Sequence, residues 1–225
     1  MKRILFLTTA LLFGLTVFAQ EYEPTTTWPY LYPDFMDGQL QSISGAPRKG
    51  KFNVHILHGT LHFIDGELIR EASLAEGFSV TIGKDVHVNA GGTMMKVLAK
   101  SDAGLVVLET LVDMARLNAT GGAYGSSSNS IATQALSSLE SATSLAGSNH
   151  MVQKNAKDEG KILPLQTKLY LVFDSKVVFA GKRDVLKMEG VDKRQVEAFV
   201  KERKIKWKDP DSLILLVDFL AEHTN

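Results

Sequence analysis

The chain has 225 residues, no cysteine, and 25 basic residues against 25 acidic ones. That excludes a disulfide framework and leaves no overall field to favour nucleic acid as a partner. The length suffices for one well-buried core.

The first element is a leader. Lys2 and Arg3 precede the apolar run from Ile4 to Phe18, which closes at Val17-Phe18-Ala19. Residues 1–19 therefore read as a signal peptide. The run is shorter than the ~20 apolar residues a bilayer span needs, and no later segment is long and apolar enough to cross a membrane. The expected location is the periplasm or the cell surface, associated with the outer membrane. A lipid-modified cysteine anchor is excluded, and loss of Lys2 and Arg3 leaves the acids slightly in excess.

Residues 20–38 form a lead-in rich in aromatics and prolines, with Trp28, Tyr30, Tyr32 and Phe35 set around Pro29 and Pro33. Proline keeps such a stretch extended. Residues 39–225 are expected to form a single domain. From Gln39 to Val112, turn signals recur at Gly45-Ala46-Pro47, His58-Gly59, Asp65-Gly66, Gly83-Lys84, Gly91-Gly92 and Asp102-Ala103-Gly104. Between them lie short runs that alternate, such as Phe52, Val54 and Ile56 against Asn53 and His55. This pattern predicts antiparallel strands in a meander or sandwich. Asp65-Gly66 predicts a type I′ hairpin with Phe63 opposite Leu68.

Residues 113–160 are dominated by Ser, Ala, Gly, Thr and Asn and read as a low-complexity insertion. Ile131, Ala135, Leu139 and Ala142 are spaced to line one helical face within it. The chain regains pattern at Lys161. Two strands are expected around Asp174-Ser175, then a short helix from Lys182. A second helix starts at Asp192, whose partner Gln195 completes a capping box. A third is capped by Asp209, with Pro210 in its first turn. Strands followed by helices mean an α+β fold: an antiparallel sheet with a C-terminal hairpin and three helices.

Motifs for chemistry are sparse. His55 and His62 share one kind of strand face, and alternation adds His87. Three imidazoles on one sheet face would suit zinc or copper, although the plainer reading is three half-exposed side chains. No G-x-S-x-G elbow, phosphate-cradling loop or paired-carboxylate cleft is present, so no catalytic residue and no cofactor are assigned. Residues 182–208 carry ten Lys or Arg against five acids, with Trp207 among them. This predicts either the solvated side of amphipathic helices or contact with an anionic surface or acidic partner. Asp211-Ser212-Leu213 matches a short O-glycosylation signal of exported bacterial proteins, and a helix N-terminus explains it equally.

Taken together, "TWPYLYPDF", "LHFIDGELI", "VNAGGTMMKVLA" and "KIKWKDPDSLILLVDFL" resemble a family of small secreted proteins from gut-type Bacteroidota. The last block also resembles a wider C-terminus of envelope proteins, in which a hairpin precedes Lys-rich helices. The resemblance covers nearly all of the chain after residue 19, least tightly in the insertion. It implies export and one folded unit. The family brings no activity and no catalytic residues. The expected function is thus a non-enzymatic binding or assembly module of the cell envelope. Its partner would be another envelope protein or a surface glycan, met through Trp28, Tyr30, Tyr32, Phe35 and Trp207. The alternative is a metal protein using His55, His62 and His87.

Overall fold

Tight turns set the architecture. In the computed structural model, which describes residues 28–41, 46–73, 78–119, 149–156 and 163–224, the strands form a ten-stranded antiparallel sheet. In chain order they are β1 (Met36–Gln41), β2 (Arg48–His55), β3 (Thr60–Asp65), β4 (Leu68–Glu71) and β5 (Ser79–Ile82). Next come β6 (Asp85–Ala90), β7 (Thr93–Lys100) and β8 (Leu105–Val112), then helices α1 (Met114–Ala119) and α2 (His150–Ala156). Strands β9 (Leu165–Phe173) and β10 (Lys176–Phe179) lead into helices α3 (Lys182–Val185), α4 (Lys193–Glu202) and α5 (Pro210–His223). The α+β architecture expected from the sequence is present. The helical face proposed at Ile131, Ala135, Leu139 and Ala142 lies outside the described residues, as does the leader.

The sheet order is β10-β9-β8-β7-β6-β5-β1-β2-β3-β4. Every strand sits beside its sequence neighbour except at one place. β5 pairs with β1, not with β4, so the first strand is central and β4 and β10 are the two ends. β1 starts at Met36, inside the stretch read as lead-in, because Met36 pairs with Phe52. The end of β2 and the start of β3 curl over to β7 and β8. Met94 N–H donates to Gly59 carbonyl at 2.7 Å and Val112 N–H to Ile56 carbonyl at 2.9 Å. Gly59 has φ +66°, and a Cβ there would sit 2.2 Å from Thr93 Cγ2. Glycine is required at this crossing both for the left-handed backbone and for the close approach.

Turn chemistry fixes the register. Asp174 and Ser175 both have positive φ, the signature of a type I′ turn, and they pair Phe173 with Lys176 as expected. The Asp65-Gly66 expectation is corrected. Only Gly66 has positive φ, and the two-residue loop is Gly66-Glu67. That is the pattern of a type II′ turn, which needs glycine at its first central position. Leu68 therefore pairs with Asp65, and Phe63 pairs with Arg70.

Two cores result. On one face of the curled strands, Phe52, Val54, Leu61, Val80, Ile82 and Met94 pack together. Farther along the sheet, α5 lays Leu213, Leu216, Val217 and Leu220 onto Val106, Leu171 and Phe173. The N-caps form where the sequence predicts: the Asp192 carboxylate accepts from Arg194 and Gln195 N–H, and Asp209 from Asp211 N–H, with Pro210 next in line, although the Gln195 side chain does not complete a capping box. Such caps contribute about 1 kcal/mol each.

Candidate functional site

The lead-in is stitched to β2. Ile56 N–H donates to Pro29 carbonyl and Leu31 N–H to Val54 carbonyl, both at 2.9 Å, so Tyr30 forms an antiparallel bridge with His55. Residues 32–35 then bow out before β1 begins. Asn53, fully buried, holds the bow. Its Oδ1 accepts from Tyr32 and Val54 N–H, and its Nδ2 donates to the carbonyls of Tyr32 and Asp34. Trp28 closes the arrangement through its indole N–H, 2.8 Å from the Tyr32 carbonyl.

The aromatic side chains follow from this path. Trp28, Tyr30 and Phe35 pack edge-on or tilted, with ring centroids 4.9 to 6.2 Å apart, and all three are buried against Ile69. Tyr32 is half-buried on the opposite face, among the residues around Phe52 and Val80. The lead-in thus clasps both faces of the sheet. Buried this way, Trp28, Tyr30 and Phe35 face the chain's own core, not solvent. Trp207 is partly buried against the C-terminal helices.

Each tyrosine hydroxyl of the clasp meets a buried histidine. Tyr30 Oη lies 2.7 Å from His62 Nδ1, and His62 Nε2 lies 3.2 Å from Glu71 Oε2. A carboxylate only accepts, so Nε2 carries the proton and Nδ1 accepts from the tyrosine. Thr60 Oγ1 is also close to Nε2, at 3.3 Å. On the other face, the Tyr32 hydroxyl donates to Asp85 at 2.8 Å, and His87 Nε2 donates to Tyr32 Oη at 3.3 Å. Lys96 completes that cluster, 2.9 Å from Asp85.

His55 stands apart. It is 1 % exposed, stacks on His62 with centroids 5.1 Å apart and planes 9° from parallel, and neither ring nitrogen has a hydrogen-bond partner. Desolvation, reinforced by His62 and His58, lowers its pKa to about 3. Burial lowers His87 to about 4 against the opposing pull of Asp85. Burial also lowers His62, while Glu71 works the other way. All three imidazoles are neutral near pH 7.

This corrects two expectations. The histidines are buried, not half-exposed: the clasp covers His55 and His62 on the second face of β2 and β3 through Tyr30, and meets His87 on the other face through Tyr32. Nor do they share a face. The Gly83-Lys84 turn pairs Val80 with His87, which points His87 to the side of Val80 and leaves Val86 exposed on the other. His55 and His62 lie across the sheet from it. Among the described residues no group of three His, Cys, Asp or Glu side chains is arranged to hold a metal ion.

Sequence reasoning missed the residues that organise this region: Asn53, Glu71, Asp85 and Lys96. Strand alternation could have found Asn53, which pairs with His62. Their roles depend on cross-strand register, which one strand does not carry. It also missed the anchoring of the insertion's end. Asn149 bridges to Leu68, His150 N–H donates to Glu67 carbonyl at 2.8 Å, and Lys154 sits 2.9 Å from Asp34. Ser212 sits in the first turn of α5, and its hydroxyl accepts from Lys206 N–H at 2.9 Å.

Among the described residues, an open groove and a strand edge both face solvent. An open groove of about 600 Å³ runs over Asp37, Gly38, Lys49, Gly50, Lys51, Ile64 and Gly66. It offers glycine backbone and lysine rims but no buried polar group. The second surface is the β10 edge. Ala180 N–H donates to Leu169 carbonyl, so the hydrogen-bonding groups of the alternate residues Val177 and Phe179 point away from β9. The Phe179 carbonyl is taken by Gly181 N–H. Val177 N–H and C=O and Phe179 N–H remain on the outer side, where no described strand pairs. The Phe179 ring is exposed beside them. Comparison with protein-family models, with curated proteins and with solved structures found no match to this chain.

Proposed function

We propose that the protein is an exported, non-enzymatic binding or assembly module of a bacterial cell envelope. Its partner is another envelope protein that adds an extended segment to β10. The observation that carries this reading is the open β10 edge with the exposed Phe179 ring next to it. Edges that stay open are managed liabilities in soluble proteins, and partners use them through main-chain hydrogen bonds with side chains setting specificity. The histidines weighed as metal ligands point the same way. The clustered histidines and tyrosines are engaged with the chain's own core. The leader and the resemblance to small secreted Bacteroidota proteins supply the location.

The test is crosslinking in living cells with a photoreactive residue at position 179 of the tagged full chain, read by mass spectrometry. One recurrent envelope protein, lost when Val177→Pro removes the outward N–H, supports the proposal. A partner linked elsewhere and unaffected by Val177→Pro refutes the edge as the site. No recurrent protein link refutes the assembly role.

A further inference from the structure

The eight residues Lys201 to Lys208, "KERKIKWK", hold five cations and one acid. We propose that this turn docks the protein on an anionic, phosphate-bearing lipid surface. The turn is rigid. Ile205 N–H donates to Val200 carbonyl at 3.0 Å and Lys204 N–H to Lys201 carbonyl at 3.4 Å, the two bonds of a Schellman motif ending α4. Ile205 is buried and anchors it, Lys206 N–H is held by Ser212, and Asp209 N–H donates back to Lys206 carbonyl. From this platform Lys201, Arg203, Lys204, Lys206 and Lys208 all project into solvent.

Three features argue that the charge is there to be used. First, neutralisation is slight. Among the described residues the single ion pair within the turn is Arg203 to Glu202 at 3.9 Å, and Asp209 is occupied in capping α5. Second, the α4 dipole accounts for Lys201 and Arg203 at its C-terminal end. It does not account for Lys206 and Lys208, which lie beyond the last turn. Third, Lys204 occupies the left-handed position of the motif with φ +52°. Glycine is the residue this position favours, because a Cβ is disfavoured there. A lysine thus sits where backbone conformation argues against any side chain, in the middle of the cationic run.

The chemistry selects the partner. Four of the five cations are lysines, which act as strongly hydrated point charges. A bidentate site for one carboxylate or phosphate would favour arginine forks. Spread point charges match the diffuse phosphate layer of a membrane surface, at ~1 kcal/mol per cation near that layer. Trp207, half-buried between Lys206 and Lys208, gives the turn an apolar flank.

The experiment is co-sedimentation of the full chain after residue 19 with vesicles of phosphatidylglycerol and phosphatidylcholine, or of phosphatidylcholine alone. It is run at low salt and in 0.5 M salt. Binding to the anionic vesicles alone, weakened by salt, is expected. Lys204→Gly is the decisive variant. It relieves the left-handed strain, so thermal stability rises, while vesicle affinity falls about fivefold, the equivalent of ~1 kcal/mol. A Lys206→Glu, Lys208→Glu double variant abolishes binding. Equal binding to both vesicle types overturns the proposal. So does anionic binding unchanged in Lys204→Gly, or capture of an acidic protein by the turn with no affinity for vesicles. None of these readouts involves the β10 edge, so this inference and the assembly role fail separately.

Discussion

Acidification from pH 7.5 to pH 5.0 will weaken the fold by up to about 4 kcal/mol, through imidazoles that the clasp keeps dry. His55 and His87 titrate near 6.5 when exposed, and burial lowers them to about 3 and about 4 in the folded state. Below pH 6.5 the unfolded chain takes up protons that the folded chain refuses. Stability is therefore fully present above pH 6.5 and is lost as pH falls from there toward the folded values. Each such group loses ~1.4 kcal/mol per pH unit, so 1.5 units give ~2 kcal/mol for each of the two. The Asp85 carboxyl is held below its usual range, by Lys96 and Tyr32 against the desolvation that would raise it. It adds its own loss only at lower pH. The assay is urea unfolding at the two pH values, where ~4 kcal/mol moves the midpoint by roughly 2 M for a domain of this size. His55→Leu isolates the cause. The ring nitrogens make no hydrogen bonds, so an apolar replacement forfeits none. It should leave stability at pH 7.5 near that of the parent and cut the loss at pH 5.0 by about 2 kcal/mol. Identical pH dependence in parent and variant would refute the reasoning.

Three further outcomes follow from the same geometry. Tyr30→Phe strands His62 Nδ1 in a buried site and should cost about 1–3 kcal/mol by chemical denaturation, more than Tyr32→Phe at its half-exposed position. Gly59→Ala forces a Cβ into Thr93 and a left-handed backbone onto alanine, and should lower the melting temperature sharply; Thr93→Ala in the same chain should restore the part due to the clash and not the ~1–2 kcal/mol of backbone strain. Trp28→Ala should cost about 3–5 kcal/mol, since the ring is 1 % exposed, whereas a docking arm would lose almost nothing in thermal stability.

How much of this was legible depended on whether the signal was local. Asp192 and Asp209 cap their helices as the sequence says, because capping is decided within four residues. Asp174-Ser175 and Gly91-Gly92 turn where expected for the same reason. At Asp65-Gly66 the sequence marks the turn but not its frame. Both frames, Asp65-Gly66 and Gly66-Glu67, leave Phe63 and Ile64 on the same two faces, so strand alternation does not choose between them. Moving the loop by one residue shifts each partner by two, so that Arg70 instead of Leu68 stands opposite Phe63. Alternation sends His87 to the wrong face because Val86 and Val88 look like the natural core pair; the two-residue turn at Gly83-Lys84 overrides them. The pairing of β1 with β5 left no local trace at all, being a contact between segments some forty residues apart. The clasp was legible as an extended aromatic stretch, but the two tyrosine–histidine pairs were not, since each joins the lead-in to a strand far along the chain.

The connection between β8 and β9 has a consequence for how the chain tolerates change. These strands pair along eight residues each, from Leu105 with Val172 to Val112 with Leu165, so everything between Val112 and Leu165 is, topologically, the loop of one hairpin. Closing a loop of about fifty residues instead of a short one costs only ~0.6 kcal/mol per doubling. Length in that segment is therefore nearly free thermodynamically, while the strands at its neck stay fixed. Away from the Asn149–Lys154 contacts with β4 and Asp34, insertions and deletions can accumulate there without disturbing the sheet. The penalty falls on kinetics instead: β8 must wait for a distant β9, and β1 for β5, before the sheet is continuous. Such non-local pairings slow folding. A chain built this way stays open longer before its sheet is complete.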